Sequence, residues 1–164
     1  MAPDPFFLPK LEELVHCLCD TVVAESDVGL CWCGVVPGGT PAYDYCNPCS
    51  GDACGMGFVT LGNVTGYRTF GQPQPMMSGQ CDSMLQSEAQ VGIMRCYPLQ
   101  EDGSPPSMEE SADVALLLMQ DMLLMRKAIM CCYKQDVILG QYTQIGPDGG
   151  CVGGAWQVVL DLGG

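Results

Sequence analysis

The chain has 164 residues, of which 48% are apolar and 15% charged, and it carries a net charge of −13. That length suits one domain with a substantial core, and the apolar content excludes disorder as the default state. The acidic balance excludes a nucleic-acid grip built on basic residues, although nucleic acid can pass close by without sticking.

The 12 cysteines are dense for this length. In a secreted chain they would read as a disulfide framework. The opening Met1-Ala2-Pro3-Asp4-Pro5 lacks the basic start and the long apolar run of a signal peptide. The expectation is a chain made and kept in a cytoplasm, with thiols reduced at first and disulfides forming later if the assembled object leaves the cell.

Residues 1–8 read as a proline-flanked apolar tail, with Phe6, Phe7 and Leu8 exposed unless a partner covers them. Residues 9–164 read as the single domain. Pro9 suits a first helical position. Leu11, Leu14, Val15, Leu18 and Val22 follow at amphipathic spacing, which predicts a helix to about Ala24. His16, the only histidine, falls off that apolar face and reads as a solvent-side residue.

Alternation over residues 28–36 predicts a strand, and residues 37–41 a turn. Residues 42–55 form a cysteine-rich loop. A second strand is expected over residues 57–70, bent near Gly62 or Gly66. Residues 71–86 are loop material, and residues 89–97 a third strand.

Pro105 and Pro106 then stop what precedes the central helix. Ser107 is a good N-cap, with Glu110 three residues later in the capping-box pattern. Acids in the first turn and Arg126 and Lys127 near the end match the helix dipole. The predicted helix has about 25 residues and is roughly 37 Å long. At 100° per residue, Glu109, Asp113, Gln120, Lys127 and Lys134 share a narrow polar stripe, and most of the remaining circumference is apolar. Such a helix needs cover on more than one side, from a sheet and a neighbouring subunit, or else as the central core helix of a monomer. Leu117 and Met125 are the interface candidates on it. Gln120, Asp121, Arg126 and Lys127 argue against a membrane span. Strands over residues 137–145 and 156–162, joined by a turn at 146–150, complete the order α-β-β-β-α-β-β. This is an α+β fold, with a mostly antiparallel sheet packed by the N-terminal and central helices.

Cys46-Asn47-Pro48-Cys49 has the form of a thioredoxin-type redox site, but the loop that follows lacks the helix that would lower a thiol pKa. Cys33, Cys46, Cys49 and Cys54 have a spacing tolerable for a four-thiolate zinc site, without a second C-x2-C pair. The other reading makes Cys31, Cys33, Cys46, Cys49 and Cys54 structural thiols or loop-stapling disulfides, and the expectation is no metal and no other cofactor. Cys131 and Cys132 point about 100° apart on a helix and read as buried free thiols. No phosphate loop, nucleophile elbow or HExxH pattern appears, and nothing places a nucleophile beside His16, so no catalysis is expected.

Several stretches carry a resemblance. They are Val91-Gly92-Ile93-Met94-Arg95-Cys96, Asp102-Gly103-Ser104-Pro105-Pro106-Ser107, the Met/Leu-rich helix ending at Cys131-Cys132, and residues 139–156. Together they resemble the tail terminator proteins of long-tailed phages, especially those of actinobacterial hosts. The G-P-x-G-G-C-x-G-G-x-W run of residues 146–156 is the most specific part. Trp32-Cys33-Gly34, Pro37-Gly38-Gly39 and Asp44-Tyr45-Cys46 are similar in kind. The resemblance implies a homo-oligomeric ring, usually of six subunits, assembled in the host cytoplasm and placed in the virion neck. Such a ring caps the tail tube and docks on the head connector, with tail tube protein and head-closure protein as partners. Genomic DNA passes through the lumen without specific binding, and no membrane is involved. Phe6, Phe7, Leu8, Gly149 and Gly150 are further interface candidates. Another neck ring, such as a head-closure or adaptor protein, is the nearest alternative. A small cysteine-rich redox or zinc-binding module is the alternative of a different class.

Overall fold

A computed structural model describes residues 7–38, 54–75, 84–100, 102–148 and 150–163. Helix α1 spans Phe7–Glu25 and buries Leu11, Leu14, Cys17, Leu18 and Val22, the apolar face expected from their spacing. It starts two residues before Pro9, so Phe7 and Leu8 belong to the helix and not to a preceding tail. Pro9 is tolerated there because first-turn N–H groups have no intrahelical acceptor. His16 is exposed.

Among the described residues six strands follow: β1 (Trp32–Val36), β2 (Met56–Tyr67), β3 (Pro73–Gln74), β4 (Met84–Cys96), β5 (Val137–Asp148) and β6 (Cys151–Gly163). They form one sheet in the order β1-β2-β4-β6-β5, with the two-residue β3 on β2. β1 runs parallel to β2, and the other pairings are antiparallel. The fold is α+β.

Three strands extend well beyond the sequence expectation; β5 runs on to Asp148, through residues read as a turn. β4 begins at Met84, inside the stretch read as loop. Its Gln86 is buried, but the side-chain Oε1 accepts from the Gly71 backbone N–H at 2.9 Å, so a polar residue is accommodated in the strand. β6 begins at Cys151, because its glycines serve packing more than turning. A Cβ on Gly153 would meet the Ile93 carbonyl of β4, and one on Gly154 would strike the Tyr142 ring of β5. Only glycine lets these neighbours approach so closely.

Helix α2 spans Met108–Lys127 and runs on as a π-helical turn over Ala128–Cys132, matching the length read from the sequence. The capping box is formed: the Ser107 N–H donates to Glu110 Oε2 at 2.8 Å, and the Glu110 N–H donates to Ser107 Oγ at 3.2 Å. The Ser107 backbone N–H, helped by the Ser107 hydroxyl, holds the Glu110 carboxyl below its usual range.

The core lies between the helices and one face of the sheet. Val59, Val91, Ile93, Val158, Leu160 and Leu162 meet Leu14 and Leu18 of α1 and Leu124, Met125 and Ile129 of the α2 stretch. A smaller cluster of Met56, Phe58, Met94, Cys151 and Ala155 occupies one end of the opposite face. Among the described residues, no helix is long and apolar enough to cross a membrane.

Candidate functional site

The disulfide bridges tie the two helices together, α1 to the sheet, and the start of β2 to β4. Cys17 of α1 is bonded to Cys132 of the π-turn, with Cα atoms 5.5 Å apart. Cys19 of α1 is bonded to Cys33 of β1 at 6.2 Å, and Cys54 to Cys96 at the end of β4 at 5.7 Å. Cys31 and Cys151 are also disulfide-bonded. Cys33 and Cys54 are thus committed to different bridges and do not offer two arms of one thiolate cage. Cys46 and Cys49 lie outside the described residues, as do Phe6 and Gly149. No group of three or more His, Cys, Asp or Glu among the described residues could hold a metal ion.

The reading of Cys131 and Cys132 as a pair of buried free thiols is corrected. Their side chains do diverge, but Cys132 turns toward α1 and joins Cys17, while Cys131 is free and exposed. Cys17 and Cys132 are 115 residues apart, and sequence spacing carries no information about such a pairing.

On α2, Met125, expected at an interface, is instead fully buried in the chain's own core, and Leu117 is half-buried. The helix buries Leu118, Asp121, Leu124 and Met125 against the sheet and α1. Its outer side keeps an apolar stripe in the open: Leu116 at 65% exposure, Met119 at 59% and Leu123 at 58%. Ala112 and Ala115 are exposed beside them, and Met108 and Met130 stand exposed toward the two ends. Glu109, Asp113, Gln120 and Lys127 form an exposed polar edge along it. Composition announced an over-apolar helix, but choosing the uncovered face required knowing where the sheet lies.

Asp121 sits under this face and is the main polar feature that sequence reasoning missed. Arg95 of β4 donates to it twice, from Nε to Oδ2 at 2.9 Å and from Nη2 to Oδ1 at 2.7 Å. Arg95 Nη1 donates to the carbonyls of Val28 and Gly29 at 3.0 and 2.8 Å. One side chain therefore ties β4, α2 and the segment after α1 together. The Trp156 indole N–H donates to the Met122 carbonyl at 3.0 Å and fixes β6 to the same helix.

Phe7 packs against the core and Leu8 is 47% exposed, so the three apolar residues of the expected tail do not share one fate. Gly150 has φ +77°, and its carbonyl accepts from the Tyr97 N–H at 2.7 Å, tying the β5–β6 hairpin to the end of β4.

The sheet face away from the helices carries an open groove of about 610 Å³, lined by Thr60, Asn63, Glu88, Gln90, Ile138 and Gln157 among others. Among the described residues, Glu88 is the one ionisable side chain lining it, and the Thr60 hydroxyl, buried at its floor, has no hydrogen-bond partner. A lone carboxylate among amides and hydroxyls supplies no acid–base pair or nucleophile with a base. No protein-family model matches the chain, and no curated protein matches it either.

Proposed function

We propose that the protein is a structural virion component, the tail terminator ring of a long-tailed phage, which caps the tail tube and joins it to the head connector. The observation that carries this reading is the G-P-x-G-G-C-x-G-G-x-W run of residues 146–156, the most specific part of the resemblance. One structural feature supports it. The disulfide-stapled domain is suited to a particle that must persist outside a cell. The net charge of −13 suits a conduit past which DNA phosphates move without binding.

Electron microscopy of the purified full chain, alone and mixed with tail tubes, tests the proposal. Rings seated on the end of each tube are the expected result. Binding to head connectors with bare tube ends would make it a head-closure or adaptor ring, and no association with either would overturn the neck reading altogether.

A further inference from the structure

We infer that the outer face of α2 pairs with the same face of a second copy of this chain, the two helices lying antiparallel across a two-fold axis near Met119. This contact is separate from the tail terminator reading, because a closed ring needs a head-to-tail interface whereas this one is isologous.

The first argument is spacing. Ala112, Leu116, Met119 and Leu123 recur at alternating four- and three-residue steps along α2. That is the seam of a two-helix coil, in which each side chain enters a gap on the facing helix. The side chains are available, with Leu116, Met119 and Leu123 all more than half exposed. An axis near Met119 sets Leu116 of each copy against Leu123 of the other and leaves Met119 to meet its own symmetry mate.

The second argument is charge, and it decides the direction. Glu109, Glu110 and Asp113 crowd the N-terminal end of α2, while Arg126 and Lys127 stand at its C-terminal end. With Lys134, just beyond the π-turn, that end gathers half of the chain's 6 basic residues. Parallel pairing would stack acid on acid and base on base. Antiparallel pairing sets Glu109 and Asp113 against Lys127 of the second copy, with Gln120 facing Gln120 at the middle of the same edge. The macrodipoles of antiparallel helices also oppose favourably. The Lys127–Glu25 ion pair competes weakly, because both side chains are well exposed and such a pair contributes little. The polar sheet face, with Thr60, Gln90 and Gln157, offers the stripe no comparable match.

Sedimentation equilibrium of the full chain tests this, in a Cys131→Ser background so that no interchain disulfide mimics association. Across roughly 1 to 200 µM, the expected species is a reversible dimer of twice the 17.5 kDa chain mass. Leu116→Glu with Leu123→Glu should weaken it by at least about a hundredfold while circular dichroism stays unchanged. The decisive arm uses two charge variants. Arg126→Glu with Lys127→Glu makes both ends acidic, and Glu109→Lys with Asp113→Lys makes the N-terminal end basic like the other. Each variant alone should be monomeric, and an equal mixture should restore the dimer. A wild-type chain that stays monomeric overturns the inference, as does a mixture that fails to associate. A larger closed ring abolished by the leucine changes also overturns it, because that face would then belong to a ring neighbour.

Discussion

Arg95 and Asp121 meet as a two-pronged ion pair with side chains 2% and 1% exposed, the guanidinium on β4 and the carboxylate on α2. Removing the carboxylate alone, as in Asp121→Ala, leaves a buried guanidinium with its two backbone carbonyl partners and no counter-charge. A loss of about 3–5 kcal/mol is expected in urea unfolding. The paired replacement Arg95→Met with Asp121→Leu should recover most of that loss, since apolar side chains of similar volume avoid the desolvation cost. A single change costing less than about 1 kcal/mol would mean that water reaches the pair.

Elements with local signals were legible in the sequence, and relations between elements were not. Ser107, Glu110 and the two prolines set the start of α2, and the spacing of Leu11 to Val22 set the buried face of α1. Asp121 read as an interruption of an apolar run, because nothing near it in sequence announces Arg95. Gly153 and Gly154 fell outside the predicted strands because glycine marks both turns and close approach, and only the Tyr142 ring over Gly154 distinguishes the two. Met125 and Leu116 are both large and apolar. Which of them faces the core is a matter of helix phase relative to a sheet whose position the sequence does not reveal.

That phase is testable by contrast. Met125→Ala should cost about 2–5 kcal/mol through the cavity it leaves, and Met125→Asp should prevent folding by burying an unpaired charge. Leu116→Asp, on the outer face, should leave the thermal midpoint within a few degrees of wild type. Equal sensitivity at the two positions, read from melting curves at low protein concentration, would show that the outer face is also part of the monomer's core.

The bridge between Cys17 and Cys132 closes a span of 115 residues. Cys17→Ser should therefore lower stability by about 2–5 kcal/mol. Thiol counting on denatured protein should find Cys131 reactive, and Cys17, Cys19, Cys31, Cys33, Cys54, Cys96, Cys132 and Cys151 reactive only after reduction. Equal counts before and after reduction would show that the bridges do not form in the sample measured.

Tyrosine ionisation reports on the far end of the sheet. The Tyr67 hydroxyl donates to Asp161 Oδ1 at 2.8 Å. Burial, that bond and the nearby carboxylates of Asp161 and Asp136 push its pKa up to about 12. Burial also raises Tyr133 and Tyr142, with help from Glu13 and Asp121 respectively. An unfolded tyrosine ionises near 10. A folded value above that means the stabilisation is complete below pH 10 and is lost as pH rises through about 12. An ultraviolet titration should show a late-ionising class of tyrosines, and Tyr67→Phe should remove part of it. A single transition near pH 10 in the folded protein would contradict the Tyr67–Asp161 bond.

Phe7 and Leu8, the first two described residues, face different ways. Phe7 packs against the core. Three residues on, the Lys10 ammonium donates to the Asp161 carbonyl at 2.7 Å, pinning the first turn of α1 to β6. Leu8 points outward at 47% exposure. Deleting residues 2–6 keeps the Phe7 and Lys10 contacts and serves as the reference truncation. Deleting residues 2–8 removes the Phe7 contact and shortens α1 by two residues, at a cost of roughly 1.5–3 kcal/mol for the aromatic ring. Phe7→Ala in the full chain separates the ring from the helix turn and should account for most of the difference. If both deletions melt like the full chain, the Phe7 contact contributes nothing. If the shorter deletion already unfolds the domain, the core extends into residues 2–6. If both truncated proteins fold but only the longer fails to cap tail tubes, Leu8 is the assembly contact on this helix.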